Sequence, residues 1–336
     1  MKTRQAMSDE LGLAIIMPAH NEAQMVKNTI HSLPAIVDLV IFINDGSTDS
    51  TQILAEEAFI ETERIELTNC NNNKSFVIIN QKNLGVGSAV FSGMEFLLNL
   101  EKADLLNSKF SQREKWIIII MDADGQMNPG EINKLISPIK NKSIDHVKGK
   151  RIGLKGMPKS RKIGSFLLTI LMRFASGYNK INDPQCGYRA IDFEMIKKWD
   201  FKNKWNGFGY TNWWLLESGR RGFKLDEVEI ESIYNESKSK LKIHVFLPKV
   251  SILIFKKLWK RGVDWYVLGR GGTNYLTRFM MSFLWFTSIF SIVTFLVTSY
   301  HFGTLFYSIL GLTLCKFIDN HEIEKRSKLN FSPLIN

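Results

Sequence analysis

Apolar and polar positions fall in blocks along the first part of the chain. Leu13 to Met17, Leu39 to Ile43, Phe76 to Ile79 and Trp116 to Met121 are short apolar runs, and each stops abruptly at polar residues. Runs of this length without alternation predict strands covered on both faces, as in parallel sheets. Helices are predicted between them. One carries Met25, Val26, Ile30 and Leu33 inward at helical spacing; a second runs through Ile53 and Leu54, with Ser47 or Thr48 able to cap it; a third opens at Asn83 to Ala89 and ends near Leu100. The hydrophilic stretch Glu61 to Lys74, with four asparagines, predicts a loop. Strand and helix alternate four times, so the fold class is α/β, a mostly parallel sheet with crossover helices.

Each polar segment follows a strand, so Pro18 to Glu22, Asp45 to Thr51 and Asp122 to Gln126 converge on one edge of the sheet. In open α/β sheets ligands bind at the carboxyl ends of the strands. The four isoleucines Ile117 to Ile120 and Met121 deliver Asp122 and Asp124 to that rim, with Gly125 freeing the backbone and Gln126 adding a neutral oxygen. Such a set suits a hard divalent cation that takes its other ligands from substrate phosphates. The first two segments could hold a nucleoside: Asp45 can accept from a ring N–H of the base, and Gly46 leaves room for it. Gly85 and Gly87 follow the third strand and lack the last glycine of a dinucleotide fingerprint. Close packing of helix on sheet and a contact to the nucleotide both remain open for them.

Further along, a strand beginning near Asp145 ends in Gly149-Lys-Arg151, and a basic segment to Lys162 leads into a helix from Ile163 to Ser176. Its stripe of Phe166, Leu167, Ile170, Leu171 and Phe174 reads as core or membrane-facing. Asp183 to Arg189, Gly207 to Asn212 and a helix through Leu215 and Leu216 to Arg221 follow, and Leu225 to Ile233 alternates as an edge strand should.

Charge and composition change the picture at the C-terminal end. Of 336 residues 45% are hydrophobic, and they concentrate after Phe279: Phe279 to Val297 and Gly303 to Cys315 contain no charged residue. The first is long enough to span a bilayer and the second is marginal. The net charge of +11 sits in two blocks, Lys140 to Lys162 at +8 and Lys238 to Arg278 at +9, leaving about −6 for the remainder. The second block directly precedes the apolar region, where Lys and Arg sit against anionic headgroups. The expected anionic partner is therefore a membrane, not nucleic acid. Val245 to Arg261 mixes apolar and basic residues as an interfacial helix should. Basic residues flank the apolar region at Arg270 and Arg278 and again at Lys316, Lys325, Arg326 and Lys328, and Thr298 to Phe302 has none. That asymmetry predicts a two-helix hairpin with both ends cytoplasmic. The apolar run near the N-terminus is short and acidic before it, so no signal peptide is expected and the catalytic part is placed in the cytoplasm. Cys70, Cys186 and Cys315 have no metal-ligand spacing and read as reduced bystanders. The expected divisions are residues 11–243 as the catalytic domain, 244–278 as a basic amphipathic segment, 279–318 as the hairpin and 319–336 as a cytoplasmic tail.

Six motifs stand in order: Pro18-Ala-His-Asn-Glu22, Asn44-Asp-Gly-Ser47, Asn83-Leu-Gly-Val-Gly87, Asp122-Ala-Asp-Gly-Gln126, Asp183-Pro-Gln-Cys-Gly-Tyr-Arg189 and Ser239-Lys240. This set resembles family 2 glycosyltransferases, in the branch of the dolichyl-phosphate mannosyltransferases and polyprenyl-phosphate glucosyltransferases, over about Leu13 to Ile243. The resemblance implies a GT-A fold, a nucleotide-sugar donor (UDP- or GDP-hexose), Mg2+ or Mn2+, and a polyprenyl phosphate acceptor. It implies that Pro18, Asn21, Glu22, Asp45, Gly46, Asn83, Gly85 and Asp122 meet the nucleotide, with Asp45 reading the base. Asp122 and Asp124 would handle ribose, sugar and metal, Gln126 would complete the metal site, and Arg189 with Ser239 and Lys240 would face phosphates. The oligomeric state, a homo-oligomer included, is left open.

Two departures stand out. His20 occupies a position where many members have tyrosine, and no His-x-x-x-His pair is present. Members that glycosylate a hydroxyl usually carry a carboxylate near Thr211-Asn212, and here the next one is Glu217, inside the following helix. A sugar hydroxyl needs a general base to become a nucleophile. A phosphate monoester, with a second pKa near ~6, is already mostly dianionic and needs cations instead. Arg151, Arg161, Arg189 and Lys240 are the candidates to supply them.

Overall fold

The structure, a computed structural model, describes residues 11–70, 74–142, 144–152, 159–199, 201, 204–231, 243–297 and 302–328; for 159–163, 243–247 and 327–328 it describes the backbone alone. Among the described residues eight strands form one sheet: β1 (Leu11–Ala19), β2 (Leu39–Asp45), β3 (Ile65–Glu66), β4 (Ser75–Gln81), β5 (Lys115–Ile120), β6 (His146–Ile152), β7 (Arg189–Asp192) and β8 (Leu225–Glu231). Their order is β3-β4-β2-β1-β5-β7-β6-β8, and β7 alone runs against its neighbours. The mostly parallel sheet expected from the apolar runs is therefore present, with one reversed strand inserted between β5 and β6.

Both faces of the central strands are covered. Ile118 and Ile120 join Ile16, Ile41 and Ile43 in one core, against the helices Val86–Lys102, Tyr210–Arg221 and Ile243–Gly262. Ile117 and Ile119 join Ile15, Met17, Val40 and Phe42 in the other, against Val26–His31, Thr51–Glu61 and Ile132–Lys142. Burying such a side chain fully is worth about 1.5–3 kcal/mol each, which is why the isoleucine run fixes the centre of the sheet. The register brings Ala19 beside Asn44 and Asp45 beside Gln81, while Ile16 lies beside Ile120. The carboxyl ends of β1, β2, β4 and β5 thus share one rim.

Two expectations need correction. The stretch read as a loop from Glu61 to Lys74 contains β3, which pairs Ile65 with Ser75; two exposed residues at a sheet edge show no periodicity. Neither Ser47 nor Thr48 caps the second helix, because Thr51–Glu61 starts after Ser50 and the Thr51 N–H donates to Asp49 Oδ1 at 3.1 Å. The expected edge strand is present as β8 at one end of the sheet, described over Leu225–Glu231, and Ile233 lies outside the described residues.

The C-terminal part begins with the helix Ile243–Gly262, which packs against the helices Lys159–Ser176 and Tyr210–Arg221. Its Val250, Leu253 and Ile254 point inward, whereas Ile252 and Phe255 (62% exposed) point out. Lys159–Ser176 does the same: Leu168, Met172 and Ala175 are buried, while Phe166 (64% exposed), Leu167, Ile170, Leu171 and Phe174 are exposed. The apolar stripe expected there belongs to the surface and not to the core. After a π-turn over Val263–Val267 come two apolar helices, Tyr275–Val297 and Phe302–Lys328, both long and apolar enough to cross a membrane and packed against each other. Arg261 ties this pair to the rest: it donates to both oxygens of Asp319 at 2.8 and 2.9 Å and to the carbonyls of Ala175 and Phe174 at 3.0 and 3.2 Å.

Candidate active site

The rim is built from loops that use their polar side chains on one another. Asn21 sits in the left-handed region at φ 56°. Its N–H donates to Ser47 Oγ at 3.1 Å, and its Oδ1 accepts from the Thr48 N–H at 2.8 Å. The Glu22 N–H donates to Thr51 Oγ1 at 2.8 Å, so the segments after β1 and β2 are zipped together. His20 spans three loops, with Nδ1 2.9 Å from the Asp45 carbonyl and Nε2 3.1 Å from Asn83 Nδ2. That bridge is the role sequence reasoning could not give it.

Asp45 is buried and works as the anchor of the loop after β4. Its Oδ1 accepts from Gln81 Nε2 at 2.6 Å and from the Leu84 N–H at 2.9 Å, and its Oδ2 accepts from the Gly85 N–H at 2.9 Å. Gly46 turns the chain at φ +69°, where a Cβ would lie 2.7 Å from the Asn83 nitrogen. Gly85 and Gly87 are both closely packed: a Cβ would lie 2.7 Å from the Asn206 carbonyl oxygen at Gly85 and 2.2 Å from that of Trp205 at Gly87. The 205–207 segment lies directly on the start of helix Val86–Lys102 and accepts the Ser88 N–H at 3.0 Å.

The two aspartates flank a pinned residue. Ala123 is fully buried, its N–H donating to the Pro18 carbonyl at 3.2 Å and its carbonyl accepting from Thr29 Oγ1 at 3.2 Å. Asp124 Oδ1 accepts from the Gln126 N–H at 3.0 Å across Gly125, whose φ is +72°. Asp122 is half-buried, and its inner Oδ1 is buried without a hydrogen-bond partner among the described residues. Burial first, then the neighbouring Asp124 and Glu22, push its carboxyl up to about 8. Two carboxylates and a third nearby crowd negative charge at one point, and a divalent cation would relieve it. Among the described residues no cluster of three His, Cys, Asp or Glu side chains forms a cage of its own. The donor set therefore fits a cation bound through one or two carboxylates plus substrate phosphates, the mode Mg2+ commonly uses.

The arginines stand differently from the expectation. Arg189, expected to face a phosphate, is 0% exposed and stands in the core. Strand β7 turns it inward, where Nε and Nη2 donate to the carbonyls of Gly187 and Cys186 at 3.1 and 3.0 Å and the guanidinium lies 5.5 and 5.9 Å from the ring centres of Tyr210 and Trp214. Arg151 is half-buried and forks onto Asp183, Nε to Oδ2 at 2.7 Å and Nη2 to Oδ1 at 3.0 Å. Burial opposes the Asp183 charge, yet the Arg151 hydrogen bonds and charge hold its carboxyl below the usual range. The Arg161 side chain and both Ser239 and Lys240 lie outside the described residues. Sequence reasoning missed the Asp183 pairing and the Tyr210 side chain; a tyrosine directly after Gly207-Phe-Gly209 was the available signal.

Glu217 is closed off. At 3% exposed, it accepts from Arg220 at 2.8 and 3.0 Å and from Lys257, and Arg220 also reaches Asp264 at 2.6 Å. Burial raises its pKa, but these cations together hold the carboxyl below its ordinary value. It belongs to the junction between helices Tyr210–Arg221 and Ile243–Gly262.

The family model of glycosyl transferase family 2 matches residues 14–200, and the chain belongs to that family. A UDP-N-acetylglucosamine–dolichyl-phosphate N-acetylglucosaminyltransferase of Methanococcus voltae is 32% identical over 237 residues, 68% of this chain and 88% of that protein. A dolichyl-phosphate beta-glucosyltransferase of Trichomonas vaginalis is 25% identical, over 79% of this chain and 76% of its own length. A polyprenol monophosphomannose synthase of Mycolicibacterium smegmatis is 27% identical, over 55% and 63%. Among solved structures, the glucosyl-3-phosphoglycerate synthase of Mycobacterium tuberculosis superposes with a TM-score of 0.52 at 16% identity, covering 77% of this chain and 83% of that one. The fold is GT-A-like, and the chain is a family 2 glycosyltransferase.

Proposed function

We propose that this enzyme moves a hexose, glucose or mannose, from a nucleotide-diphosphate sugar to a polyprenyl phosphate, with inversion, at the cytoplasmic face of a membrane. The observation that carries the acceptor assignment is Glu217. The first carboxylate after Thr211-Asn212 is buried and neutralised by Arg220 and Lys257, so it is not placed to take a proton from a hydroxyl. An acceptor that is already anionic requires no such group. The names of the three relatives, each a dolichyl- or polyprenyl-phosphate transferase, support the same acceptor class. The exposed apolar stripes of Lys159–Ser176 and Ile243–Gly262, continuous with the two apolar helices, suit a lipid substrate presented from a bilayer.

In this reading Pro18, Asn21, Glu22, Asp45, Gly46, Asn83 and Gly85 shape the nucleotide site. Asp122, Asp124 and Gln126 hold Mg2+ or Mn2+ with the diphosphate, and the bound ion would act as a Lewis acid on the departing diphosphate. Structures of the solved fold relative were obtained with Mn2+ or Mg2+ and UDP. Arg151 is the described cation best placed for the acceptor phosphate, exchanging the Asp183 carboxylate for phosphate oxygens of matching geometry. Residues 11–243 form the catalytic domain, 244–278 the basic interfacial segment, 279–318 the membrane hairpin and 319–336 a cytoplasmic tail. The test is a panel of UDP-glucose, GDP-mannose and UDP-N-acetylglucosamine, each with polyprenyl phosphate and Mn2+ in vesicles. One donor should yield a lipid-soluble glycosyl phosphate; label that stays water-soluble with every donor would reject the reading.

A further inference from the structure

Among the described residues, three buried polar atoms without hydrogen-bond partners belong to Asp122 and to two side chains near it. They are Asp122 Oδ1, Arg189 Nη1 and Tyr210 Oη. Buried polar groups are nearly always hydrogen-bonded, and a hydroxyl or guanidinium left unpaired in a core is costly. The three are chemically matched, since one is an anionic acceptor and the other two are donors. The backbone brings them together: Arg189 stands opposite Ile120 in the β5–β7 register, two residues before Asp122. A Cβ built on Gly187 would lie 3.2 Å from Tyr210 Oη and 3.9 Å from Asp122 Oδ2, so phenol and carboxylate flank the same glycine. Asp122 is also the carboxylate that acts electrostatically on Arg189, whose burial would otherwise leave it without a counter-charge.

We propose that Arg189 and Tyr210 are positioning residues whose unpartnered donors hydrogen-bond the inner oxygen of Asp122 when the nucleotide sugar is bound, and so set the aim of its carboxylate at the rim. Arg189 is itself fixed by the carbonyls of Cys186 and Gly187 and by the faces of Tyr210 and Trp214, so its remaining N–H group is held in one direction. Tyr210 is 3% exposed, and its hydroxyl makes no hydrogen bond among the described residues that would give it another purpose. Functional sites are where such breaches of local rules are expected. This inference rests on the nucleotide-sugar reading given above.

The test is a double-mutant cycle on the full chain in nanodiscs, with affinity for UDP or GDP plus Mn2+ measured by calorimetry, using whichever nucleotide the wild type binds. Tyr210→Phe removes an oxygen that has no partner, so the melting temperature should hold or rise while nucleotide affinity and turnover fall about tenfold. In an Asp122→Asn background the same change should alter affinity less than about twofold, because the acceptor charge it serves is gone. Arg189→Lys should recover part of the affinity lost in Arg189→Met. Wild-type affinity and turnover in Tyr210→Phe would overturn the proposal, and so would losses that simply multiply in the double variant. A wild type that binds neither nucleotide and transfers from no donor would overturn the glycosyl-transfer reading, and this inference with it.

Discussion

Replacing Asp45 by asparagine changes a single side-chain atom at the point where three loops meet. The carboxylate accepts three hydrogen bonds, from Gln81 and Leu84 on one oxygen and from Gly85 on the other. An amide keeps one oxygen and turns an NH2 toward a backbone or side-chain donor. Leaving the Gly85 N–H unpaired costs about 1–3 kcal/mol, and neutral bonds replace charge-assisted ones. Relief from burying a charge offsets part of that loss, so the net destabilisation should be about 2 kcal/mol. For a catalytic region of this size that is roughly 4–8 °C in melting temperature. The assay is thermal unfolding of the solubilised protein by tryptophan fluorescence, with and without UDP and GDP. Asp45→Asn should melt lower in the absence of nucleotide and bind nucleotide more weakly, since the loop it anchors borders the proposed nucleotide site. An unchanged melting temperature would refute the anchoring role and leave Asp45 as a residue that waits for the base alone.

Glu217→Gln should lower stability by about 1–3 kcal/mol, because it removes the carboxylate facing half-buried Lys257 and leaves buried Arg220 to Asp264. Transfer per folded molecule should stay near wild type, and a stable but inactive Glu217→Gln protein would restore it as a base. Asp124→Asn should abolish transfer in a fold that melts normally; near-wild-type turnover with metal still required would sink its metal role. Burial first, then Arg189 and Lys148, hold His146 well below the ordinary histidine value. Its folded form therefore stays neutral when the unfolded chain takes up a proton below about pH 6.5, and stability falls with pH at up to ~1.4 kcal/mol per unit. Denaturant titrations at pH 7 and pH 5 should show a smaller loss for His146→Leu than for wild type, and equal losses would contradict this.

The centre of the fold was legible because each central strand is covered on both faces, and continuous apolar runs such as Ile117 to Ile120 are what that environment demands. The motif loops were legible for the same reason, as each polar break marks the strand end that carries it. Strand β7 was not, since Arg189–Asp192 is four residues long and its first residue read as part of a surface motif. What the polar residues do was harder to see. Asp45 looked free to meet a base, but its partners at Gln81, Leu84 and Gly85 come from a different loop. Arg151 looked free to meet a phosphate, but Asp183 lies 32 residues away in sequence. Arg189 was expected to face a phosphate, but β7 carries it in the core. Charge pairing across distant segments leaves no periodic signal in a single sequence.

The central claim is that the acceptor's nucleophile is a phosphate and not a hydroxyl. The most direct measurement sets polyprenyl phosphate against the matched polyprenol, at equal concentration in the same vesicles, with the donor that the wild-type enzyme uses. Transfer should occur to the phosphate alone, and Arg151→Ala should weaken use of it by roughly one to two decades, the loss of a charge-assisted pair worth about 1.5–3 kcal/mol. Equal or faster transfer to the free alcohol, with Arg151→Ala unimpaired, would contradict the account and make the enzyme one that extends a hydroxyl acceptor.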